Sequence, residues 1–147
     1  MTVELRDVDD PDLDLVYEHQ RDVEACERAG AMPRGRDAFD ERWEGLLGDP
    51  QVVARSVVAD GEVVGHVLSF VRDGRPEVGY WIARSHWRQG IGSTALGLLL
   101  DELDERPLYA QIAFHNPASL RIAERHGFRE IDAQERNGVR FCVLRLG

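Results

Sequence analysis

Residues 86–100 read HWRQGIGSTALGLLL, and this stretch decides how the rest of the chain is interpreted. Gly90 and Gly92 stand directly ahead of a leucine-rich run that predicts a buried helix. The first turn of a helix has N–H groups without intrahelical partners, and the helix dipole makes that end positive. Because glycine has no Cβ and permits unusual dihedrals, a backbone loop can close on an anion there. The stretch therefore predicts a helix start that can bind a pyrophosphate.

Neighbouring side chains support an anion at this helix start. Arg88 adds a fixed positive charge, and Ser93 and Thr94 add hydroxyl donors. A Walker-type phosphate loop is excluded because the chain has no lysine. Ala95 could be the third small residue of a dinucleotide fingerprint, but the preceding strands form an antiparallel meander, and no acidic residue ends the following strand. A nicotinamide cofactor therefore fits poorly, while a helix start that binds nothing stays open on the glycines alone.

The composition bounds the class of protein. The chain has 147 residues, of which 43% are hydrophobic and 31% charged, so we expect one soluble domain over residues 1–147. No export signal or membrane span is visible, which favours a cytoplasmic location. Cys26 and Cys142 are then expected to be free thiols. The five histidines show no metal-ligand spacing, and we expect no metal site.

Negative charge is concentrated at one end of the sequence. Residues 1–60 contain 16 acidic residues and seven arginines, a net charge of −9, whereas residues 61–147 contain 11 of each. Such a surface would repel a phosphate backbone, so we do not expect nucleic-acid binding. A cationic partner is favoured, although the acidic surface could serve solubility alone.

The hydrophobic pattern predicts an α/β domain with a mixed sheet. Hairpin signals at Asp60-Gly61, Asp73-Gly74 and Asn137-Gly138 separate alternating segments. Strands are predicted over residues 2–8, 51–59, 62–71, 76–83, 107–114, 128–135 and 139–147. Helices are predicted over residues 12–29, through Phe39 and Trp43, over residues 90–105 and within residues 116–127.

Two stretches together carry a family resemblance. GYWIARSHWRQGIGSTAL (79–96) and HNPASLRIAERHGF (115–128) resemble the acetyl-CoA motif and the Asn-x-x-Ser…Gly-Phe motif of the GNAT (GCN-related) N-acetyltransferases. Trp87 after a Gly-Tyr-Trp strand is similar to the Rim-type subgroup, which acetylates ribosomal-protein N-termini. The resemblance implies an acetyltransferase that uses acetyl-CoA and an amine acceptor.

The same resemblance implies the architecture and the cofactor site. The fold would be a seven-stranded, mostly antiparallel sheet, splayed at its centre between residues 77–83 and 107–114, with about four flanking helices. Acetyl-CoA would lie in the splay, with the backbone of Trp81 and Ile82 along its pantetheine. The residues expected to hold the pyrophosphate through their amides are Arg88, Gln89, Gly90, Ile91, Gly92 and Ser93. Asn116 and Ser119 would approach the pantetheine and the thiol.

The catalytic groups are less well defined by the sequence. In this family a neutral amine attacks the thioester directly, which calls for a base near the amine and an acid near the thiolate. Glu77 is the first candidate base and Glu135 the second, although Glu77 could equally be an exposed turn residue. The family's usual tyrosine position is Ala123 here. The Rim-type resemblance implies Ser119 as the candidate acid, acting directly or through a water molecule, and the alternative is a hydroxyl in the first turn of the helix.

Several other residues have two interpretations at this point. Tyr80 could face the cleft or the core. His86 and His115 flank the motifs but are expected to lie in an exposed loop and beside a helix cap. Phe39, Trp43 and Leu46 are simplest as core, although the resemblance places Trp43, with Phe70 and Trp81, beside the acceptor.

These patterns leave two functions open and permit a homodimer. The first function is acetyl transfer to a small amine or a peptide N-terminus. The second is a CoA-binding sensor that has lost catalysis, which the missing tyrosine keeps open. Unpaired sheet edges would permit a homodimer.

Overall fold

The computed structural model describes residues 1–147 and shows five α-helices and seven strands. The helices are α1 (Asp10–His19), α2 (Val23–Ala29), α3 (Arg36–Gly48), α4 (Ile91–Glu102) and α5 (Pro117–Arg125). The strands are β1 (Val3–Asp7), β2 (Val53–Ala59), β3 (Glu62–Arg72), β4 (Arg75–Ile82), β5 (Leu108–Ala113), β6 (Arg129–Arg136) and β7 (Val139–Leu146). A short 3₁₀ turn, Arg84–His86, leads from β4 towards α4. No helix is long and apolar enough to span a bilayer.

All seven strands form one sheet in the order β1-β2-β3-β4-β5-β7-β6. Neighbouring strands are antiparallel except β4 and β5, which are parallel and joined at one residue pair, Glu77 with Tyr109. Beyond that pair the two strands separate towards their carboxyl ends. The predicted mixed sheet with a central splay is therefore confirmed.

The predicted helix over residues 12–29 is wrong, because the chain forms two helices there. Asp22 caps α2 by accepting a hydrogen bond from the Ala25 N–H, 2.9 Å away. An aspartate that bonds to backbone in this way favours a helix start over a helix interior. Gly30, at φ +67°, ends α2 in the left-handed conformation. The protein consequently has five α-helices rather than about four.

Helices cover both faces of the sheet. The helix α4 packs into the main core, where Ile91, Leu96 and Leu99 are at most 1% exposed. On the opposite face, Phe39 and Trp43 of α3 pack with Val16 of α1 against β2 and β3. This confirms the interpretation of Trp43 as core. Cys26 and Cys142 are both buried and free.

Successive side chains of β4 point to opposite faces. Val78 belongs to the main core, and Tyr80 and Ile82 pack against it on the α4 face. Glu77 is the cross-strand partner of Phe70, which packs with the α3 cluster. Glu77, Gly79 and Trp81 therefore line the other face of the sheet.

Candidate functional site

A cavity of about 650 Å³ opens where β4 and β5 separate. Its walls come from α2, the carboxyl end of β4, the start of α4 and the length of α5. This is the position at which an open sheet usually leaves room for a ligand. The lining combines apolar side chains with a few polar groups and the first residues of α4.

The start of α4 is built to leave backbone N–H groups free. Gly90 is the N-cap at φ +77°, and no side chain caps the helix. Arg88 also has a left-handed φ of +65°. Left-handed residues in a tight turn bring successive N–H groups to one side, where they form an anion-binding concavity. At Gly92 a Cβ would lie 3.1 Å from Ile122 Cδ1, so the close contact between α4 and α5 favours glycine.

The charge of the cavity is opposite to the charge of the protein. Arg28, Arg88, Arg121 and Arg125 all line it, and none of its 21 lining residues is an aspartate or glutamate. The net charge of the chain is nevertheless −9. The acidic side chains are thus kept away from this cavity, which suits a phosphate-bearing ligand.

Most residues predicted to hold the cofactor line this cavity. They are Trp81, Ile82, Arg88, Gly90, Ile91, Gly92, Ser93, Asn116 and Ser119. Gln89 is exposed and does not line it. The Ser93 hydroxyl lies 3.1 Å from His126 Nε2, and the Thr94 hydroxyl donates to the Gly90 carbonyl oxygen over 3.1 Å. These two hydroxyl groups are therefore engaged within the protein, and the free donors are the backbone amides.

The backbone of β4 presents only some of its groups to the splay. A Cβ on Gly65 would lie 2.2 Å from the Trp81 carbonyl oxygen, so that carbonyl faces β3. Because backbone groups alternate in direction along a strand, those of Tyr80 and Ile82 face the splay. The Trp87 indole N–H donates to the Ile82 carbonyl oxygen over 2.8 Å. If the cofactor lies along this strand, the predicted backbone contacts with its pantetheine would come from Tyr80 and Ile82, and Trp81 would contribute its side chain.

Tyr80 and Ser119 form a hydrogen-bonded pair at the floor of the cavity. The Ser119 hydroxyl donates to the Tyr80 oxygen over 2.8 Å, and the Tyr80 hydroxyl donates to the Ser119 carbonyl oxygen over 2.7 Å. Burial raises the pKa of Tyr80 to about 12, although the hydrogen bond with Ser119 opposes the shift. Asn116 caps α5, because its Oδ1 accepts a hydrogen bond from the Ser119 N–H over 3.3 Å. Tyr80 lines the cavity and also packs against the main core, so both of its interpretations hold.

Glu77 is buried rather than exposed, with 3% of its surface accessible. Gln111 Nε2 donates to Glu77 Oε2 over 3.2 Å, and Arg72 Nε lies 3.8 Å from the same oxygen. Desolvation raises the pKa of Glu77 above its usual range, and Arg72 and Arg136 only partly oppose the shift. A carboxyl group with a raised pKa is suited to proton transfer near neutral pH. Glu77 lies outside the lining of the large cavity, on the other face of β4.

The other candidate catalytic positions are not placed to transfer a proton in the large cavity. Glu135 is exposed on β6. Ala123 is fully buried in the main core, so that position cannot present an acid to the cavity. His86 lies in the 3₁₀ turn with its Nε2 3.7 Å from Glu62, and His115 is exposed and contacts the Glu27 carbonyl oxygen. No group of three or more His, Cys, Asp or Glu residues is placed to hold a metal ion.

Sequence reasoning missed the wall formed by α2. Ala25, Arg28 and Ala29 line the cavity, and the Arg28 guanidinium lies 4.7 Å from the centre of the Trp87 ring. The direction of the Tyr80 side chain also could not be predicted, because it depends on packing against elements distant in sequence. The signal that could have indicated α2 is Asp22, because a helix start there turns the following residues towards α4.

Comparison with known proteins agrees with this geometry. The family model of the acetyltransferase (GNAT) domain matches residues 2–129. Among solved structures, RimL, the ribosomal L7/L12 alpha-N-protein acetyltransferase, is 18% identical with a TM-score of 0.82, and the match covers 99% of this chain and 90% of RimL. The aminoglycoside acetyltransferase AAC(6′)-Ib in complex with coenzyme A is 20% identical with a TM-score of 0.81, and the match covers 99% and 94% of the two chains.

A third similar structure is the ribosomal-protein-S18-alanine N-acetyltransferase from Escherichia coli. It is 18% identical with a TM-score of 0.74, over 99% of this chain and 93% of that one. At such identities the likeness shows the fold alone. No curated protein matches the sequence.

Proposed function

Because the chain belongs to the GNAT acetyltransferase family, we propose that it transfers the acetyl group of acetyl-CoA to a primary amine by direct attack in a ternary complex. The amine belongs to a small molecule or to a peptide N-terminus. The observation that carries the proposal is the arginine-lined cavity at the uncapped start of α4. Strand β7 and all of β6 except Arg129 lie beyond the matched residues but complete the sheet beside β5, so we assign residues 1–147 to one catalytic domain.

Binding of acetyl-CoA is supported by the free amides and the arginines. The pyrophosphate would accept hydrogen bonds from the amides between Arg88 and Ser93, which point out of the left-handed turn. The pantetheine would run along β4, where the groups of Ile82 and Tyr80 face the splay. This arrangement places the thioester near the pair formed by Tyr80 and Ser119. Holding both reactants in one cleft supplies a large part of the rate enhancement.

Glu77 is the proposed base. An alkylammonium has a pKa near ~10 and must lose a proton before it attacks. Glu77 is close to the splay because it forms the last pairing between β4 and β5. Gly79, two residues further along the same face, carries no side chain, and a Cβ there would lie 3.8 Å from Phe70 Cε1. We propose that a water molecule carries the proton from the amine to the buried carboxylate.

Tyr80 and Ser119 are the proposed partners of the departing thiolate. A pKa of about 12 keeps Tyr80 protonated at neutral pH. A thiol has a pKa of about 8.5, so complete proton transfer from Tyr80 would be uphill. We therefore assign to Tyr80 a hydrogen bond that stabilises the thiolate. To make it, the Tyr80 hydroxyl turns away from the Ser119 carbonyl oxygen, while the Ser119 hydroxyl keeps its hydrogen bond to the tyrosine oxygen and orients it. This arrangement replaces the side chain that position 123 does not provide.

The test begins with calorimetric titration of the protein with acetyl-CoA. We expect binding that is lost in Gly90→Glu, because a carboxylate would occupy the phosphate position. The matched control is Gly74→Glu, since Gly74 has a similar φ of +75° and open space around it but lies at the other end of β4. A folded wild-type protein that does not bind acetyl-CoA would contradict the proposal.

Release of CoA in the presence of primary amines then tests the transfer itself. Binding without turnover of any amine would favour the second candidate, a CoA-binding sensor, which the alanine at position 123 supports. A homodimer stays a prediction, which sedimentation would test.

A further inference from the structure

The helix α4 contains an interior glycine that the anion-binding turn at its start does not explain. Gly97 lies one turn beyond Ser93, inside the leucine-rich run. Glycine at such a position costs a helix roughly 1 kcal/mol relative to alanine, because it loses more backbone freedom on folding. A Cβ on Gly97 would lie 3.0 Å from Cε1 of His126, closer than real Cβ contacts usually are. Gly97 therefore leaves the space that the imidazole ring occupies.

His126 uses this space to form a hydrogen bond with the first turn of α4. It is the C-cap residue of α5 and is half-buried. Its Nε2 lies 2.8 Å from the Ser93 carbonyl oxygen and 3.1 Å from the Ser93 hydroxyl oxygen. Because a carbonyl oxygen only accepts, the geometry assigns a proton to Nε2, which donates it to Ser93.

The contacts of His126 with Ser93 are the only hydrogen bonds that join α5 and its C-cap to α4. The other close approach between the two helices is apolar, where Ile122 lies against Gly92. Nearer the start of α5, Ser119 forms its hydrogen bonds with Tyr80 of β4. The helix α5 is thus held to β4 by Ser119 and to α4 by His126.

The two helices contribute different donors to the large cavity. The start of α4 presents its free backbone amides, and α5 presents the guanidinium groups of Arg121 and Arg125. A phosphate-bearing ligand that contacts both sets of donors requires α4 and α5 to keep one relative position. A site that already has the bound geometry loses less conformational freedom when the ligand binds, and its affinity is therefore higher.

We propose that His126 is a positioning residue for acetyl-CoA: by donating to Ser93 it holds the first turn of α4 against α5 in the geometry that binds the phosphates. Gly97 provides the room for this contact. Neither His126 nor Gly97 lines the cavity, so both act through Ser93. This inference rests on the proposed binding of acetyl-CoA and adds two residues to the group that determines its affinity.

The first test compares two substitutions of His126 by calorimetric titration with acetyl-CoA. His126→Met keeps a side chain of similar length but has no N–H, and we expect Kd to rise about fivefold, the effect of one lost hydrogen bond. His126→Gln keeps an N–H donor at a similar reach, and its Kd should stay within about twofold of wild type. With an amine that wild type acetylates, His126→Met should raise the KM for acetyl-CoA and leave kcat nearly unchanged, because no reacting group is altered.

The second test approaches the same contact from α4. Gly97→Ala places a methyl group against the ring, displaces Nε2 from Ser93 and should raise Kd. In the His126→Met background the same substitution should have little further effect, because no hydrogen bond remains to be lost. The matched control is Gly45→Ala, since Gly45 also lies inside a helix, α3, and a Cβ there would meet nothing within 4 Å. Helix propensity favours alanine at both positions, so only Gly97→Ala should lose affinity for acetyl-CoA.

The outcomes separate this inference from the proposed function. An unchanged Kd in His126→Met, or equal losses in His126→Met and His126→Gln, overturns the role of His126 and leaves acetyl-CoA binding in place. If His126→Met does not fold, as judged by circular dichroism, equal Kd values for Gly97→Ala and Gly45→Ala overturn it instead. Absence of acetyl-CoA binding by folded wild-type protein overturns the proposed function and this inference with it.

Discussion

His66 makes the stability of the protein sensitive to acid. It lies on β3, is 4% exposed, and stacks edge-on against Trp43 at 5.2 Å between ring centres. Its Nδ1 has no hydrogen-bond partner. Desolvation, with smaller effects of His19 and Arg42, lowers the pKa of His66 from 6.5 to about 3. The folded protein therefore holds this imidazole neutral.

The sign and size of the effect follow from this pKa. Below pH 6.5 His66 is protonated in the unfolded chain but stays neutral in the folded protein. The free energy of unfolding therefore falls as the pH decreases from 6.5 to about 3. At about 1.4 kcal/mol per pH unit, the whole interval corresponds to about 5 kcal/mol, of which about 3 kcal/mol falls between pH 7 and pH 4.

The substitution His66→Leu should remove this loss. The free energy of unfolding would be measured by urea titration, followed by tryptophan fluorescence, at pH 7 and pH 4. We expect wild type to lose about 3 kcal/mol more than His66→Leu between the two values. At pH 7 the variant should be nearly as stable as wild type, because an apolar group replaces an unpartnered polar one.

The choice of pH and a control variant separate the effect of His66 on stability from the effects of other titrating groups. The pKa of Asp12 is lowered, because hydrogen bonds from Arg6 and neighbouring groups outweigh its burial, so its contribution is lost only below pH 3.8. The control is His115→Leu, since His115 is exposed and its removal should leave the acid sensitivity in place. Equal losses in wild type and His66→Leu would refute the reasoning.

Two further predictions concern the catalytic groups. Glu77→Gln should lower kcat about a hundredfold or more at neutral pH and abolish the rise of kcat/KM with pH on the acid side. A Glu77→Gln variant that keeps its kcat would contradict the role of Glu77 as the base. Because the pKa of Glu77 is raised, its ionisation destabilises the folded protein as the pH rises above 4.5. Glu77→Gln should therefore be at least as stable as wild type at pH 8. Tyr80→Phe should lower kcat about tenfold with acetyl-CoA affinity unchanged, and the double variant with Ser119→Ala should add little, because the two hydroxyl groups act as a pair. Additive losses in kcat would show that they act separately.

The sequence predicted most of the fold because its signals are local. Turn pairs such as Asp60-Gly61 separate the strands, and Gly90 and Gly92 start α4 where the motif placed it. The break between α1 and α2 was missed because Val16 and Val23, on either side of the polar residues 20–22, keep a helical spacing of seven residues. Only the side chain of Asp22, which bonds to backbone three residues later, reveals the break.

The candidate site was predictable where it depends on backbone and unpredictable where it depends on neighbours distant in sequence. The amides of α4 follow from the order of residues alone. The burial of Glu77 depends on its pairing with Tyr109 and its contact with Gln111, both more than thirty residues away. Alternation along β4 shows that Glu77 and Tyr80 point to opposite faces, but it does not show which face holds the cavity. Packing of α4 and α5 decides that.

The single pairing of Glu77 with Tyr109 divides the sheet into two plates, one of four strands and one of three. The hairpins β2–β3, β3–β4 and β6–β7 each lie within one plate, and the line between the plates runs past the proposed base, Glu77. A ligand that contacts both plates links them. At a free concentration of a hundred times its Kd, it adds about 2.7 kcal/mol to the free energy of unfolding. Amide hydrogen exchange should therefore slow in both β4 and β5 when the ligand is bound. Because the backbone joins the two plates at that pair alone, the ligand and the side chains of the main core, which come from both plates, hold them together along the rest of their length.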